Sequence, residues 1–282
     1  MSGELIIAIQ GERGSYSEQA ATNLLGSGIK LSCCEHFSEV FQRTINKEAD
    51  YCLIPIENSL AGSIHKNYDL LLRHDLKITR EINLQVEHNL IALPGVKFKE
   101  IKTVISHPVA LDQCGKFFER HTQLTKRSAY DTSGSVKRIM EQKLKDSAAI
   151  AGDRAAEYYK AEILKTGIQD NQENFTRFFL LAVEPETTKG EDKTSIVFSF
   201  KNTPGALFKC LSVFALRDID LFKIESRPIP GRAWEYLFYM DFQGNPEEDS
   251  SRNALNHLKE LTEFLKVLGS YPRDSALEKK SI

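Results

Sequence analysis

Five short segments of this 282-residue chain carry the side chains from which chemistry could be built. They are GERGSYS (11–17), PIENSLAG (55–62), SHPVALDQC (106–114), DTSGS (131–135) and NFTRF (174–178). Each offers hydroxyl or amide groups, several carry glycine, and each follows or opens an apolar run. In open α/β sheets, ligands bind beyond the carboxyl ends of the strands. Helices that begin there aim free N–H groups at the ligand and favour anions. Together the segments read as a cleft for a small anion. Taken singly, each residue also has a structural reading. Ser15, Ser17 and Asp131 serve equally as helix caps, Thr132 as a first-turn residue, and Gln113 as a solvated helix position. His107 beside Pro108 reads as packed or exposed, Arg177 as half of an ion pair, and Glu57 as a loop cap.

Other chemistries have no footing here. The chain lacks G-x-x-x-x-G-K-[ST], G-x-S-x-G, H-E-x-x-H and C-x-x-C. Cys33, Cys34 and His36 lie close together, but on a strand they alternate faces, so no metal is expected there. No cofactor signature appears. Side chains and backbone alone must do the work.

The elements that position these segments alternate between strand and helix. Strands are expected at 4–10, 30–36, 51–56, 103–106, 124–129, 148–151 and 177–183, with a long extended run over 77–93. Helices are expected at 15–25, at 38–47 capped by Ser38, around 69–72, from Pro108 onward, at 131–144 and at 154–159. This βα alternation implies largely parallel sheets with helices on their faces. The polar stretch EPETTKGEDK (184–193) has linker composition. Beyond it the order becomes βαββαβ, with strands at 194–200, 221–227, 235–242 and 266–271 and helices at 205–216 and 249–265. That is the ferredoxin-like arrangement. Residues 273–282 form a polar tail.

Composition limits the partners. Lysine and arginine number 37 against 39 aspartate and glutamate, a formal net charge of -2, so no basic excess meets a nucleic acid. No apolar run approaches a membrane span. Five cysteines, an odd number without framework spacing, suggest reduced thiols. The start is acidic and its apolar run short, unlike a secretory signal. The expectation is therefore a cytoplasmic protein.

Read in order, the segments PIENSLAG, SHPVALDQC, DTSGS and NFTRF resemble the motif set of the prephenate dehydratases. The resemblance runs from Gly11 to about Val183, and Asn174, Thr176, Arg177 and Phe178 match the family's Asn-x-Thr-Arg-Phe signature. A second resemblance follows. Gly205, Ala206 and Leu207, then Glu225, Ser226, Arg227 and Pro228, look like the two motifs of the phenylalanine-binding ACT domain of the same enzymes. There are departures. Glu12 and Ser15 stand where the family commonly has Pro and Thr, and Val109 and Asp112 where it often has Gln and Ala. Ser133, Ser135 and Val136 replace alanines.

The resemblance implies an α/β protein. Residues 1–184 would form a two-lobe, type 2 periplasmic-binding-protein-like catalytic domain, and 194–272 a ferredoxin-like ACT domain. It implies loss of CO2 and water from prephenate to give phenylpyruvate, a lyase reaction in L-phenylalanine biosynthesis without a cofactor. Thr176 would sit at the departing hydroxyl, with Asn58, Ser106 and Gln113 as further catalytic groups orienting substrate. Ser15, Glu57, Ser59, Thr132, Arg177 and Phe178 would contact substrate, and Glu57 and His107 are rival acids. The run near 81–90 would cross to the second lobe and the strand from Arg177 would return. L-phenylalanine would act as effector where 205–207 of one chain meets 225–228 of another, in a homodimer or homotetramer. The same motifs serve arogenate dehydratases, which release phenylalanine directly. A reading of another class is a non-catalytic amino-acid-binding regulatory protein. Because the motifs begin almost at Met1, no fused chorismate mutase is expected.

Overall fold

The computed structural model describes residues 4–184, 192–229, 231–232 and 234–274. Most of the expected linker and of the expected tail lies outside the described residues. The chain divides into two compact units, Met1–Tyr68 with Ile82–Phe178 and Asp69–Glu81 with Phe179–Ile282.

The first lobe of the first unit grows from β1 (Leu5–Gln10), α1 (Tyr16–Leu25), β2 (Ile29–Cys34), α2 (Phe37–Ile45) and β3 (Tyr51–Asn58). A two-residue β4 (Gly62–Ser63), α3 (His65–Arg73) and β5 (Lys77–Gln85) follow. Ile7, Ala8 and Ile9 are fully buried on both faces of β1, as a central parallel strand requires. β1 pairs in parallel with both β2 and β3. α1 and α2 start one residue away from their expected positions, and α3 starts at His65, ahead of the expected 69–72. α2 has His36 at its N-cap with no side-chain cap bond, so Ser38 is its second helical residue and not its cap.

The chain then enters a second sheet through β6 (Asn89–Ala92). There follow β7 (Thr103–Ser106), α4 (Pro108–Asp112), α5 (Gly115–Arg120), β8 (Thr125–Ser128), α6 (Thr132–Gln142), β9 (Ser147–Ala151), α7 (Asp153–Tyr159) and β10 (Glu162–Lys165). Strand order is β10-β6-β9-β7-β8. β7 runs parallel to β8 and β9, but β6 runs antiparallel to β9 and β10. The sheet is thus less parallel than expected. β6 is reached by an extended crossing from the first sheet and not by a βαβ crossover, the connection that lays parallel neighbours side by side. Every residue of β9 (SAAIA) is buried, and its small side chains let Val136 and Ile139 of α6 pack directly onto the sheet.

β11 (Phe175–Ala182) carries the chain back, giving the first sheet the order β2-β1-β3-β11-β5 with β4 beside β3. At the two crossings the backbones meet, and Val86 N–H donates to Asn174 C=O at 2.7 Å. Two sheets joined by two adjacent crossings make the expected two-lobe, periplasmic-binding-protein-like fold. Neither β4 nor β10 was foreseen: β4 has two residues and β10 (EILK) has a single apolar pair between charges, whereas β7, equally short, carries a buried apolar pair.

The second unit has β12 (Asp192–Ser199), α8 (Ala206–Ala215), β13 (Leu221–Pro228), β14 (Tyr236–Gln243), α9 (Asp249–Leu261) and β15 (Phe264–Pro272). Its antiparallel sheet has the order β13-β14-β12-β15, the βαββαβ arrangement expected. Ile196, Phe198, Val213, Phe214, Met240 and Leu258 form its core. The unit is wider than residues 194–272, because it takes in 69–81. Arg227 grips Asp69 with two bonds, at 2.6 and 3.3 Å, and Lys193 pairs with Glu81 at 3.0 Å. A Cβ added to Gly269 would lie 2.2 Å from the Ile78 carbonyl oxygen, so this strand accepts only glycine there. Among the described residues no helix is long and apolar enough to cross a membrane.

Candidate active site

The first unit holds a cleft of about 430 Å³ lined from both lobes. Its floor begins with Asn58, at the end of β3. The Asn58 Oδ1 accepts from the backbone N–H groups of Leu60 (3.1 Å) and Ala61 (2.9 Å). An oxygen held by two backbone donors settles which way the amide faces. Its Nδ2 therefore points to the returning strand, donating to Asn174 Oδ1 (2.7 Å), Thr176 Oγ1 (3.0 Å) and the Phe175 carbonyl (3.1 Å).

The rest of the network follows from that orientation. Asn174 is fully buried, and its Nδ2 donates to Gln113 Oε1 at 3.0 Å. The same Gln113 oxygen meets His88 Nε2 at 2.8 Å, while Gln113 Nε2 reaches Asn58 Oδ1 at 3.4 Å. Thr176 stands at the start of β11 with its oxygen already accepting from Asn58. A hydroxyl has one hydrogen and two lone pairs, so the Thr176 hydrogen is free to donate into the cleft.

Two helices begin at the cleft wall. Tyr16 and Ser17 open α1, and Asp131 and Thr132 open α6. Apolar surface comes from Phe37, Ile64, Val86, Val109, Ala110 and Phe178. Among the described lining residues Asp131 is the one carboxylate, and no lysine or arginine is present. Burial pushes the Asp131 carboxyl up, against bonds from the N–H groups of Gly134, Glu12 and Thr132 that lower it. Burial lowers His107, partly offset by the Asp131 charge. His107 Nδ1 accepts from Val109 N–H at 3.3 Å, so the neutral ring carries its hydrogen on Nε2. Burial likewise lowers His88, against a bond from Gln113.

The sequence-expected residues divide. Asn58, Gln113, Thr132, Thr176 and Phe178 line the cleft. Ser106 does not: it is fully buried and its Oγ donates to the Ile150 carbonyl at 2.6 Å, so it ties two strands together. Ser15 does not line the cleft either. It caps α1, accepting from Glu18 N–H at 3.3 Å. Ser59 donates to the Glu173 carbonyl (3.0 Å) and accepts from Phe175 N–H (2.9 Å), fastening the returning strand. Glu57 pairs with Ser63 in the β3–β4 ladder, and Arg177 lies on β11; neither is among the lining residues. His88, Tyr16 and Asp131 reach the cleft without having been assigned to substrate. The sequence signal for His88 was its phase: it takes an apolar slot in the alternation Ile82, Leu84, Val86, His88, Leu90.

In the second unit Gly205 is the N-cap of α8 at φ +78, a conformation glycine adopts freely, and a Cβ there would meet nothing within 4 Å. Ala206 and Leu207 form the first turn of α8. Glu225, Ser226, Arg227 and Pro228 end β13, with Glu225 paired to Lys223 at 3.1 Å.

The sequence profile of the family described as prephenate dehydratase matches residues 7–186. The chain belongs to the prephenate dehydratase family. Like its relatives it is a lyase-type dehydratase of aromatic amino acid biosynthesis. It is 45% identical over 282 residues to "Arogenate dehydratase/prephenate dehydratase 2, chloroplastic" of Arabidopsis thaliana, covering 96% of this chain and 74% of that one. It is also 45% identical to "Arogenate dehydratase 2" of Petunia hybrida, covering 97% and 73%. Among solved structures, a prephenate dehydratase from Arthrobacter aurescens in complex with L-Phe superposes with a TM-score of 0.86 at 30% identity, covering 95% of this chain and 90% of that one. The Arabidopsis name overturns the cytoplasmic expectation. Free thiols report a reducing compartment and do not say which one, so they do not distinguish the cytoplasm from a plastid.

Proposed function

We propose that this dehydratase acts on arogenate, releasing L-phenylalanine, CO2 and water, and takes prephenate as a second substrate. The observation that carries this is the charge of the cleft, one carboxylate and no cation among its described lining residues. Prephenate brings two carboxylates and a keto oxygen. Arogenate brings two carboxylates and an ammonium group, so it is less negative and offers a partner for Asp131. Opposite charges at contact distance attract by several kcal/mol at a partly buried site, on the order of 4 at an effective dielectric of about 20. The names of the relatives at 45% identity support the same choice.

In this reading Thr176 donates its free hydrogen to the ring hydroxyl as the C–O bond breaks. A threonine is too weak an acid to give up its proton early, so the rate comes from positioning and fixed dipoles. Asn58 holds Thr176, and Gln113 holds Asn58. A substrate carboxylate lies at the N-terminus of α1, where backbone N–H groups take the place of a cation, and the ammonium lies by Asp131, the cap of α6. Thr132 adds a hydroxyl there, and Phe178 supplies apolar surface to the ring. Ring aromatisation then drives loss of CO2.

The second unit would bind L-phenylalanine between Gly205–Leu207 of one copy and Glu225–Pro228 of another, in a homodimer or homotetramer. The open space over Gly205 and the exposure of Phe208 and Leu216 support that reading. The test is turnover of arogenate and of prephenate by the purified protein, with and without L-phenylalanine, measuring phenylalanine and phenylpyruvate separately. A higher kcat/KM for arogenate is expected. Turnover of prephenate alone would overturn the substrate assignment.

A further inference from the structure

His88 lies outside all five polar segments, on the extended crossing between β5 and β6, buried to 2% exposure. Its ring lies between two fixed partners. Nε2 faces Gln113 Oε1 at 2.8 Å, and Nδ1 faces the Tyr16 hydroxyl at 2.9 Å. The Tyr16 hydroxyl also donates to the Glu87 carbonyl at 2.6 Å. The His88 backbone is pinned as well, its N–H donating to Gln169 Oε1 at 2.9 Å and its carbonyl accepting from Ile168 N–H at 2.9 Å.

The direction of every bond in the chain can be followed from one anchor. Two backbone N–H groups hold Asn58 Oδ1, so Asn58 Nδ2 is the donor to Asn174 Oδ1 and Thr176 Oγ1. Asn174 then presents its Nδ2 to Gln113, and Gln113 must answer with its oxygen. That oxygen in turn requires a hydrogen on His88 Nε2. A neutral imidazole has one hydrogen, so Nδ1 is left bare, and it competes at 2.9 Å with the Glu87 carbonyl at 2.6 Å for the single Tyr16 hydrogen.

We propose that His88 is a positioning residue for the dehydration: its Nε2–H locks the Gln113 and Asn174 amides in the one orientation that leaves the Thr176 hydrogen free for the departing hydroxyl. Without that donor the Gln113 oxygen keeps only the Asn174 Nδ2–H, and the amide is held in its orientation by one strong bond in place of two. A flipped Gln113 would face Asn174 Nδ2 with a second donor, Asn174 would turn, and Asn58 would lose the partner that sets its angle to Thr176. A primary amide cannot pass a proton along such a chain at a useful rate, so the role is orientation and not relay. Burial keeps the ring neutral, which is the state with the single hydrogen that the chain calls for. The inference rests on Thr176 as the donor and holds for arogenate and prephenate alike.

The test has two arms. Ring ¹⁵N spectra of the wild-type protein at neutral pH should show His88 protonated at Nε2 and bare at Nδ1; the opposite tautomer overturns the proposal. In the kinetic arm, His88→Phe should lower kcat by about 10- to 100-fold with KM within about twofold, the size expected of a small misplacement. His88→Gln, whose amide can still donate to Gln113, should recover at least part of that loss. In Gln113→Leu the His88→Phe change should add little. Equal loss in kcat and 1/KM, no advantage of Gln over Phe, or full additivity would each overturn it. If the wild-type protein turned over neither substrate, the proposed function would fall, and the ring tautomer would still decide the hydrogen-bond chain.

Discussion

A threonine hydroxyl earns a place at a leaving group only if its hydrogen has nowhere else to go, and the Asn58 amide arranges that for Thr176. Thr176→Ala should therefore lower kcat by on the order of 10²-fold or more while KM changes little, and Thr176→Ser should keep much of the activity. Glu57→Gln should leave turnover near wild type, since Glu57 sits in a β-ladder and not on the cleft wall. Loss of turnover in Glu57→Gln with binding intact would make Glu57 the donor. Asp131 gives the second prediction at this scale. Asp131→Asn should lower kcat/KM for arogenate by about tenfold or more and leave prephenate equal or improved, because a buried carboxylate–ammonium contact is lost for one substrate only. The wild-type preference should also fade in acid. Burial raises the Asp131 pKa, so as pH falls through it the neutral acid forms and its attraction for the ammonium disappears. A ratio of arogenate to prephenate kcat/KM that does not change with pH would contradict this role. Thr176, Asn58 and Gln113 were legible in the sequence because each lies in a short polar segment at a strand or helix end. Ser106 lies off the cleft wall for a physical reason. Which face a strand hydroxyl takes depends on register, and here it turns to the Ile150 carbonyl. His88 was silent because its partners come from residues 25 and 72 positions away.

At the scale of elements, the cleft depends on how closely the loop before α1 approaches α7. Gly14 has φ +76, and a Cβ there would lie 2.7 Å from Ala155 Cα; a Cβ on Gly152 would lie 3.0 Å from the Tyr16 ring. Ser133 Oγ also donates to the Arg13 carbonyl at 2.5 Å. Two glycines thus let the backbones meet where Tyr16 and Ser17 enter the cleft. Gly26 provides the comparison, with φ +87 and nothing within 4 Å of its added Cβ. Gly26→Ala should cost only the conformational strain of its backbone (φ +87, ψ 175), about 1–3 kcal/mol. Gly14→Ala adds a backbone collision that no side-chain rotation relieves. It should cost visibly more in a urea titration and should lower kcat/KM, while Gly26→Ala leaves activity unchanged. Equal destabilisation by the two would mean that the close approach is easily opened. The alternation of strands and helices was plain from the sequence because apolar runs such as Leu5–Gln10 have no other home than a buried strand. The antiparallel β6 was not, since direction is set by the crossing that delivers the strand and not by its own residues.

For the whole molecule, the sequence put the boundary between domains at the polar stretch 184–193, and composition could do no better. The folded chain groups residues 69–81 with 179–282, because a contact between distant segments leaves no mark on local composition. What binds the segment is specific. Glu81 and Lys193 are paired at 3.0 Å with side chains 1% and 9% exposed, and Glu81 also accepts from Asp274 N–H at 3.1 Å. Breaking such a pair strands a buried charge, so Glu81→Gln should destabilise by about 3–5 kcal/mol, whereas replacing both partners together by Leu and Met should cost much less. Chemical denaturation of the three proteins measures this, and a silent Glu81→Gln would show the pair to be solvated. The same grouping has a larger consequence. Residues 1–184 produced alone would keep β11 beside β5 but lose Arg227, Lys193 and the Gly269 strand, which in the full chain meet Asp69, Glu81 and the buried Ile78. That fragment should melt at a lower temperature than the full chain and bind an apolar dye. β5 makes the point chemically interesting, for it runs from residue 77, in one unit, to residue 85, in the other, three positions before His88. A truncated chain that melted like the full one and kept its kcat would show that the catalytic unit has no need of the second unit to hold that strand.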